Sequence, residues 1–251
     1  MRLLFSLFKK LLRFQHTYLP LPFFIYKNLF KIKLFHRLFY KYYILCFDTD
    51  ANYRKPNTTE FNKSYWLSKR ALYWHYAHLY HNRFTEIIIK VFNDFGYLFE
   101  NKKVCDYMSG IGPYFKDKKY DMMFIEGNKY CCDILKKNYP NNSRIINGNW
   151  DVIEKYQNDI DTLFISSGCL IYLNHQDIDK FFKITNKIKN FIFIHEGTDL
   201  DDFYLEYSGH NYWNFERRLK LYNLNYNNSE IFFEKPKKKD VFSYFIYCEK
   251  N

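Results

Sequence analysis

The sequence lacks the features that mark secreted and disulfide-linked proteins. Its six cysteines form no Cys-x-x-Cys pair, and glycine and proline are scarce, with 8 and 6 residues among 251. Lys9 and Lys10 interrupt the apolar stretch of the first 20 residues, and no small-x-small cleavage site follows it. These absences exclude a secretory signal and predict a reduced, cytoplasmic protein.

Long apolar runs are absent as well. No run reaches the roughly 18 uncharged apolar residues of a membrane-spanning helix, so we predict no transmembrane segment. Hydrophobic residues are nevertheless abundant at 47%, and 27 Phe, 25 Tyr and 4 Trp bring the aromatic share to 22%. This composition excludes a disordered chain and predicts a sizeable buried core.

Acidic residues are missing from residues 1–47, which hold nine of the 38 Lys and Arg residues. The other 29 face 27 Asp and Glu, so the net charge of +11 belongs mainly to the N-terminus. Polar and apolar residues recur with a helical period over residues 2–14, and residues 27–45 form a second, less regular basic stretch. We therefore predict basic amphipathic helices in this segment.

Two interpretations of the basic segment stay open. Its helices can lie on an anionic membrane surface, with basic residues at the headgroups and Leu and Phe among the acyl chains. They can instead pack on the rest of the chain or on another subunit, and the oligomeric state is not predicted. Nucleic acid is the less favoured partner, because the charge lies beside aliphatic stripes and far in sequence from the motifs described below.

A polar stretch, residues 48–60, marks the predicted boundary between the basic segment and the rest. We predict three parts: residues 1–47, a linker and helical cap over 48–100, and an α/β domain over 101–251. The cap contains two predicted helices, 61–81 and 83–96, and the first carries His75, His78 and His81. No acid or cysteine accompanies these histidines, so we expect partly buried or substrate-facing side chains and no metal site.

From residue 102 onward, short apolar strands alternate with helices, which predicts a parallel, doubly wound sheet. The predicted strands are 102–108, 120–126, 144–148, 161–167, 190–196, 230–235 and 242–249. The predicted helices are 112–118, 128–138, 150–156 and 175–188. The last two strands flank a basic turn, so the fold class is a Rossmann-like seven-stranded α/β sheet with a C-terminal antiparallel hairpin.

The first predicted strand ends in a carboxylate and a glycine turn. Asp106 is followed by Gly110 and Gly112, which permit positive φ and close approach of a ligand to the backbone. The second strand ends at Glu126, where an acid suits hydrogen bonding to ribose hydroxyls. Phe115 stands where a Gly-x-Gly-x-x-Gly motif has its third glycine, which disfavours a nicotinamide cofactor.

This order and spacing, over residues 102–250, resembles the class I S-adenosylmethionine-dependent methyltransferases, whose first motif is a strand ending in Asp/Glu-x-Gly-x-Gly-x-Gly. The resemblance implies S-adenosylmethionine as cofactor. Asp106, Ser109, Gly110 and Gly112 would surround its methionine moiety, and Glu126 would hold its ribose.

The resemblance also extends to later motifs. It implies Asn149 near the adenine, Trp150 as a stacking face and Ser167 in the fourth motif, after its strand. Met108 stands at the first motif glycine and Asn149 at the usual acid. These departures leave a second interpretation open, a catalytically degenerate binding protein with the same fold.

A hydroxyl acceptor would benefit from a general base with a pKa near neutrality. His195 and Glu196 end the fifth predicted strand, and His210 lies before the hairpin. We predict His195 or His210 as the base and Glu196 as an orienting or sugar-binding carboxylate. The fourth motif lacks the Asp/Asn-Pro-Pro-Tyr and Pro-Cys sequences of base-methylating relatives.

The basic N-terminus and the Tyr- and Trp-rich segments resemble bacterial sugar O-methyltransferases of surface-polysaccharide assembly. The implied acceptor is a hydroxyl of a sugar or lipid-linked glycan at the inner face of the membrane, with Trp66, Trp74 and Trp213 against the sugar rings. An RNA methyltransferase is a further alternative, motivated by the pI of 9.1.

Overall fold

The computed structural model describes residues 6–7, 10–11, 14, 22–30, 32, 66–79, 82–116, 118–141, 143–166, 169–197, 201–205, 210–221, 225–231 and 242–249. The helices are α1 (Phe23–Phe30), α2 (Ala71–Leu79), α3 (Asn82–Phe95), α4 (Lys129–Asn138), α5 (His175–Ile184) and α6 (Phe215–Leu221). The strands are β1 (Lys103–Tyr107), β2 (Asp121–Glu126), β3 (Ser143–Asn147), β4 (Thr162–Ile165), β5 (Asn190–Gly197), β6 (Phe203–Leu205), β7 (His210–Tyr212), β8 (Asn225–Ile231) and β9 (Phe242–Glu249).

A central sheet runs in the order β3-β2-β1-β4-β5-β9-β8. Strands β1 to β5 are parallel, which confirms the predicted α/β sheet with five parallel strands. Strand β9 runs antiparallel to both β5 and β8. The strand order reverses between β1 and β4, and the crevice at the carboxyl ends of such strands is where open α/β sheets bind ligands.

The sheet has a hydrophobic core on each face. Cys105 and Tyr107 point from β1 into one cluster, which includes residues of α5, whereas Val104 points into the other, which includes residues of α3. Burial on both faces explains why these strands are continuous apolar runs. The Thr162 side chain also donates a 2.8 Å hydrogen bond to the Leu98 carbonyl, so the segment that follows α3 is tied to β4.

One predicted helix is wrong. Between β1 and β2, the described residues 108–116 and 118–120 form turns and bends without a helix. Gly112 has a φ of +58°, which no α-helix accommodates, and the Phe115 side chain is fully buried against Phe99 and Phe164. The glycine turn therefore does not open a helix N-terminus. Likewise, Trp150–Lys155 is a three-ten helix rather than an α-helix.

The elements absent from the sequence prediction include the β6-β7 hairpin, helix α6 and the three-ten turn Leu170–Tyr172. The two hairpin strands and the three-ten turn have 3 residues each, and α6 has 7. Hydrophobic periodicity gives little signal over segments this short. The Asn211 side chain donates to the Leu173 carbonyl and thereby holds the hairpin beside the three-ten turn.

Most of the basic segment lies outside the described residues. Of the helix predicted over 2–14, the structure describes Ser6, Leu7, Lys10, Leu11 and Phe14, which are helical and exposed. Helix α1 packs against α2 of the cap. In the part of the chain that the structure describes, no helix has the length and apolar character needed to cross a bilayer.

Candidate functional site

Two carboxylates lie at the carboxyl ends of neighbouring parallel strands. Asp106 is the penultimate residue of β1, and Glu126 is the last residue of β2. The register pairs Asp106 with Phe124 and Tyr107 with Ile125, so Glu126 extends one position beyond the paired region. Both carboxylates are buried, with exposures of 0% and 8%.

The turn after β1 is left-handed at three positions. Met108, Gly110 and Gly112 have φ angles of 52°, 57° and 58°. The first value is costly for a side chain with a Cβ, so Met108 holds a conformation that a glycine would adopt freely. Its side chain packs against the core cluster that contains Tyr107 and Trp150. Methionine at this position thus has a left-handed backbone that is ordinarily favourable only for glycine.

The Glu126 carboxylate holds this turn against the start of α4. Its Oε2 accepts a 2.7 Å hydrogen bond from the Gly110 N–H, and its Oε1 accepts a 2.7 Å bond from the Asn128 N–H. Burial raises the pKa of Glu126 to about 7, and the backbone N–H groups of Asn128, Gly110 and Gly127 partly oppose that rise. A carboxylate oxygen can accept two hydrogen bonds, so the group retains capacity for a ligand hydroxyl.

Asp106 and Ser109 are buried without internal partners. Among the described residues, neither Asp106 carboxylate oxygen has a hydrogen-bond partner, and the Ser109 hydroxyl has none. Burial, together with the charge of Glu126, raises the pKa of Asp106 well above its ordinary value. Buried polar groups normally have partners, so this pair fits a ligand that brings a cationic or hydrogen-bonding group.

Residues of the cap lie directly over the turn. A Cβ atom added at Gly110 would lie 2.5 Å from the His75 ring, and one added at Gly127 would lie 3.2 Å from the Leu67 side chain. The His75 imidazole is partly buried, and burial lowers its pKa to about 4, so it is neutral at physiological pH. The cap therefore forms one wall of the site beside Asp106 and Glu126.

An aromatic group joins the cap to the loop after β4. The Trp66 ring lies 6.0 Å from the His75 ring and 5.6 Å from the Tyr172 ring, centroid to centroid, and 6.1 Å from the Trp74 ring. All four side chains are partly exposed. The group Trp66, Trp74, His75 and Tyr172, called the aromatic cover below, thus spans from the glycine turn to the carboxyl end of β4.

The residues after β3 are placed differently from one another. Asn149 is exposed and precedes the three-ten helix Trp150–Lys155. Trp150 is 8% exposed, its carbonyl accepts a 2.6 Å bond from the Tyr107 hydroxyl, and the Lys180 ammonium lies 5.5 Å from its ring centroid. Most of the Trp150 ring is therefore occupied by the core and by Lys180, while Asn149 remains accessible.

The predicted catalytic residues are described only by their backbone. His195 and Glu196 lie near the end of β5, opposite Tyr244 and Ser243 of β9, and His210 begins β7. Ser167 lies outside the described residues. These four residues and their roles stay predictions.

Trp213 does not offer the sugar-binding face that the sequence suggested. It is 0% exposed, its indole N–H donates to the Leu170 carbonyl, and the Arg218 guanidinium lies 4.6 Å from its ring centroid. Trp66 and Trp74, in contrast, belong to the aromatic cover. In the described residues, no group of three His, Cys, Asp or Glu side chains is arranged to hold a metal ion.

Sequence reasoning did not assign Asn128 or His75 to the cofactor site, although it expected His75 to be partly buried or to face the substrate. Asn128 follows Glu126 by two positions and is the N-cap of α4, whereas the helix predicted from the sequence, 128–138, includes it as its first residue. His75 lies on a predicted helix, but no local pattern indicates which residue of that helix faces the glycine turn. Both contacts link segments that are far apart in the sequence.

No family model matches the chain, and no curated protein matches it. Several solved structures are similar to the chain. A Leishmania major protein described as an S-adenosylmethionine-dependent methyltransferase is similar over 75% of this chain and 82% of its own, with 15% identity and a TM-score of 0.55. Magnesium protoporphyrin IX methyltransferase from Synechocystis with bound S-adenosylmethionine is similar over 81% of this chain and 97% of its own, with 9% identity and a TM-score of 0.51.

The glycopeptide N-methyltransferase MtfA is similar over 66% of this chain and 96% of its own, with 12% identity and a TM-score of 0.50. Identities this low show the fold and nothing finer. The chain thus has the fold of the class I S-adenosylmethionine-dependent methyltransferases, which confirms the expected fold. The acceptors named for these proteins differ widely, so the fold does not identify an acceptor.

Proposed function

We propose that this protein transfers a methyl group from S-adenosylmethionine to a hydroxyl of a sugar or lipid-linked glycan. The observation that carries the first half is the buried, unpartnered Asp106 carboxylate and Ser109 hydroxyl beside a left-handed glycine turn. The methionine moiety of the cofactor carries an ammonium group, which would supply the partner that Asp106 lacks. Glu126, at the adjoining strand end, would accept hydrogen bonds from the ribose hydroxyls.

The residues divide the work as follows. Asp106, Ser109, Gly110 and Gly112 would hold the methionine moiety, and Glu126 would hold the ribose. The exposed Asn149 would face the adenine. The sulfonium of the cofactor supplies an activated methyl group when bound. The protein contributes chiefly by aligning the acceptor oxygen with that methyl group, since displacement at carbon depends on alignment.

Proton removal from the acceptor hydroxyl would fall to His195 or His210, with Glu196 orienting the acceptor. In support, β5 is parallel to β1 and β2 in the same sheet, so its last residues lie at the sheet edge that carries Asp106 and Glu126. The partly exposed rings of Trp66 and Trp74 suit the apolar faces of a sugar.

Calorimetry with S-adenosylhomocysteine tests the cofactor half of the proposal. We expect micromolar binding by the wild type, and Glu126→Gln should weaken it by about 10- to 100-fold through lost charge-assisted hydrogen bonds. Glu154→Gln, at an exposed glutamate of the three-ten helix, is the control and should bind normally. An intact wild type that binds no S-adenosylhomocysteine contradicts the proposal.

Labelled S-adenosylmethionine tests the acceptor half. Methyl transfer should appear in glycolipid or polysaccharide fractions of a cell extract and should resist alkali, as an ether does. Label that appears in RNA instead would reject the sugar acceptor in favour of the RNA alternative.

A second candidate function is a catalytically silent binding protein of the same fold. Two observations favour it: Glu126 already accepts hydrogen bonds from Gly110 and Asn128, and the His75 ring lies against Gly110, where a ligand would approach. A folded protein that neither binds S-adenosylhomocysteine nor transfers a methyl group to any fraction would support this candidate over the enzyme.

We also propose that residues 1–45 associate peripherally with the inner face of the membrane. Leu7, Leu11 and Phe14 are 58%, 67% and 59% exposed at positions that share one helical face, within a segment that has no acid. An apolar face with basic neighbours suits an anionic lipid surface.

A further inference from the structure

Asn128 makes contacts in three directions from a buried position. It is 1% exposed, and its backbone N–H donates to Glu126. Its side-chain oxygen accepts bonds from the Tyr130 and Cys131 N–H groups and so caps α4. The oxygen is thus committed to the helix that follows β2.

Its side-chain amide is committed to a different segment. Both N–H groups donate to carbonyls of the cap, 2.6 Å to Trp66 and 2.8 Å to Ser68. These carbonyls lie 62 and 60 positions earlier in the chain. Asn128 therefore ties residues 66–68 of the cap to the residue whose backbone N–H binds the Glu126 carboxylate.

The segment held in this way carries the aromatic cover. Trp66 is one of the two residues whose carbonyls Asn128 binds, and its ring contacts His75 and Tyr172. Leu67, between the two bonded residues, faces Gly127. Release of residues 66–68 would consequently free one edge of the cover above the glycine turn.

We infer that Asn128 is a positioning residue that couples ligand binding at Glu126 to docking of the cap segment 66–79. A ligand that engages the Glu126 carboxylate stabilises the turn at residues 126–128, and that turn presents the amide to Trp66 and Ser68. Coupling of this kind is reciprocal, so docking of the cap also raises the affinity for the ligand. The nature of the ligand rests on the proposed function, whereas the latch itself does not.

Asn128→Asp separates the latch from the helix cap. Aspartate is as good an N-cap as asparagine, so the bonds to Tyr130 and Cys131 persist, but it has no N–H groups for the two carbonyls. Asn128→Ser repeats the loss without a new charge, since serine also caps helices. Asn174 offers the matched control, because its side chain caps α5 by accepting a hydrogen bond from the Asp177 N–H at an exposed position.

Hydrogen exchange of the intact protein measures cap docking directly. Exchange of the amides of α2 should accelerate on the order of 10- to 100-fold in Asn128→Asp and Asn128→Ser, since two hydrogen bonds are lost. Asn174→Asp and Asn174→Ser should leave it unchanged. Unaltered α2 exchange in a folded Asn128→Ser variant overturns the latch.

Binding of S-adenosylhomocysteine tests the coupling. It should slow α2 exchange in the wild type and slow it much less in Asn128→Ser, an effect that a general loss of stability would not produce. Equal protection in both proteins overturns the coupling. A wild type that binds no S-adenosylhomocysteine defeats the proposed function alone, because exchange without ligand still decides the latch.

Discussion

Two titratable side chains that contact Gly110 have pKa shifts of opposite sense. Burial raises the pKa of Glu126 to about 7 from 4.5 and lowers that of His75 to about 4 from 6.5. Between about pH 4.5 and 6.5, Glu126 is therefore protonated in the folded state and deprotonated in the unfolded state. In the same window, His75 is neutral in the folded state and protonated in the unfolded state. The two contributions to the pH dependence of stability cancel in this window.

Single substitutions should expose each contribution. In His75→Gln, the free energy of unfolding should fall as pH rises from 5 to 6, by about 1.4 kcal/mol per pH unit relative to the wild type. In Glu126→Gln, the free energy of unfolding should rise with pH over the same range, by a similar amount relative to the wild type. Urea unfolding at several pH values measures both slopes. Asp106 adds the same sense of pH dependence as Glu126 to all three proteins, so parallel profiles would refute the two shifts.

At the scale of elements, one arginine joins three segments near the carboxyl edge of the sheet. Arg218 of α6 bonds Asp179 of α5 at 2.5 Å and Asp202, just before β6, at 2.6 Å. Its side chain is 6% exposed and lies over the Trp213 ring. The short elements that follow β5 are therefore held by a buried ion pair as well as by apolar contacts.

Loss of this arginine should be costly. Arg218→Met should lower the free energy of unfolding by about 2 to 4 kcal/mol, because it leaves the largely buried Asp202 unpaired; the half-exposed Asp179 reduces the penalty. The neighbouring Arg217, whose side chain is 59% exposed and pairs with the exposed Asp201, is the matched control. Arg217→Met should change stability by less than about 1 kcal/mol. Equal losses in the two variants, measured by urea unfolding, would contradict this account.

The elements that the sequence predicted well are those with strong local signals. Strands β1 to β5 and helices α4 and α5 carry continuous or periodic apolar patterns, and their observed bounds lie within a few residues of the predicted ones, with the C-terminus of α5 four residues short. The predicted helix over 112–118 failed because Gly112 adopts a left-handed conformation and Phe115 is buried in the core. Both effects depend on neighbours that are distant in the chain.

At the scale of the whole molecule, the charge is concentrated at one end. Nine basic residues and no acid occupy residues 1–47, while the rest of the chain is nearly balanced. A surface of this kind attracts anionic lipid at about 1 kcal/mol per basic residue near the membrane, and the attraction weakens with salt.

Vesicle cosedimentation tests the proposed membrane association. The protein should bind vesicles that contain phosphatidylserine, bind neutral vesicles poorly, and lose binding as salt rises. Leu7→Gln combined with Leu11→Gln should weaken binding by roughly tenfold, because two exposed leucines would no longer enter the interface. Leu221→Gln, at a leucine that is 68% exposed on α6, is the control. Equal binding by both variants would reject the anchor.

The sequence by itself determined the α/β class, the parallel strands and the two strand-end acids Asp106 and Glu126, because each is expressed over a few consecutive residues. Only the tertiary structure decided that His75 lies against Gly110, that Asn128 binds Trp66 and Ser68, and that Trp213 is buried beneath Arg218. These contacts depend on how separate segments meet around the sheet, and the packing that brings them together leaves no periodic trace in either segment.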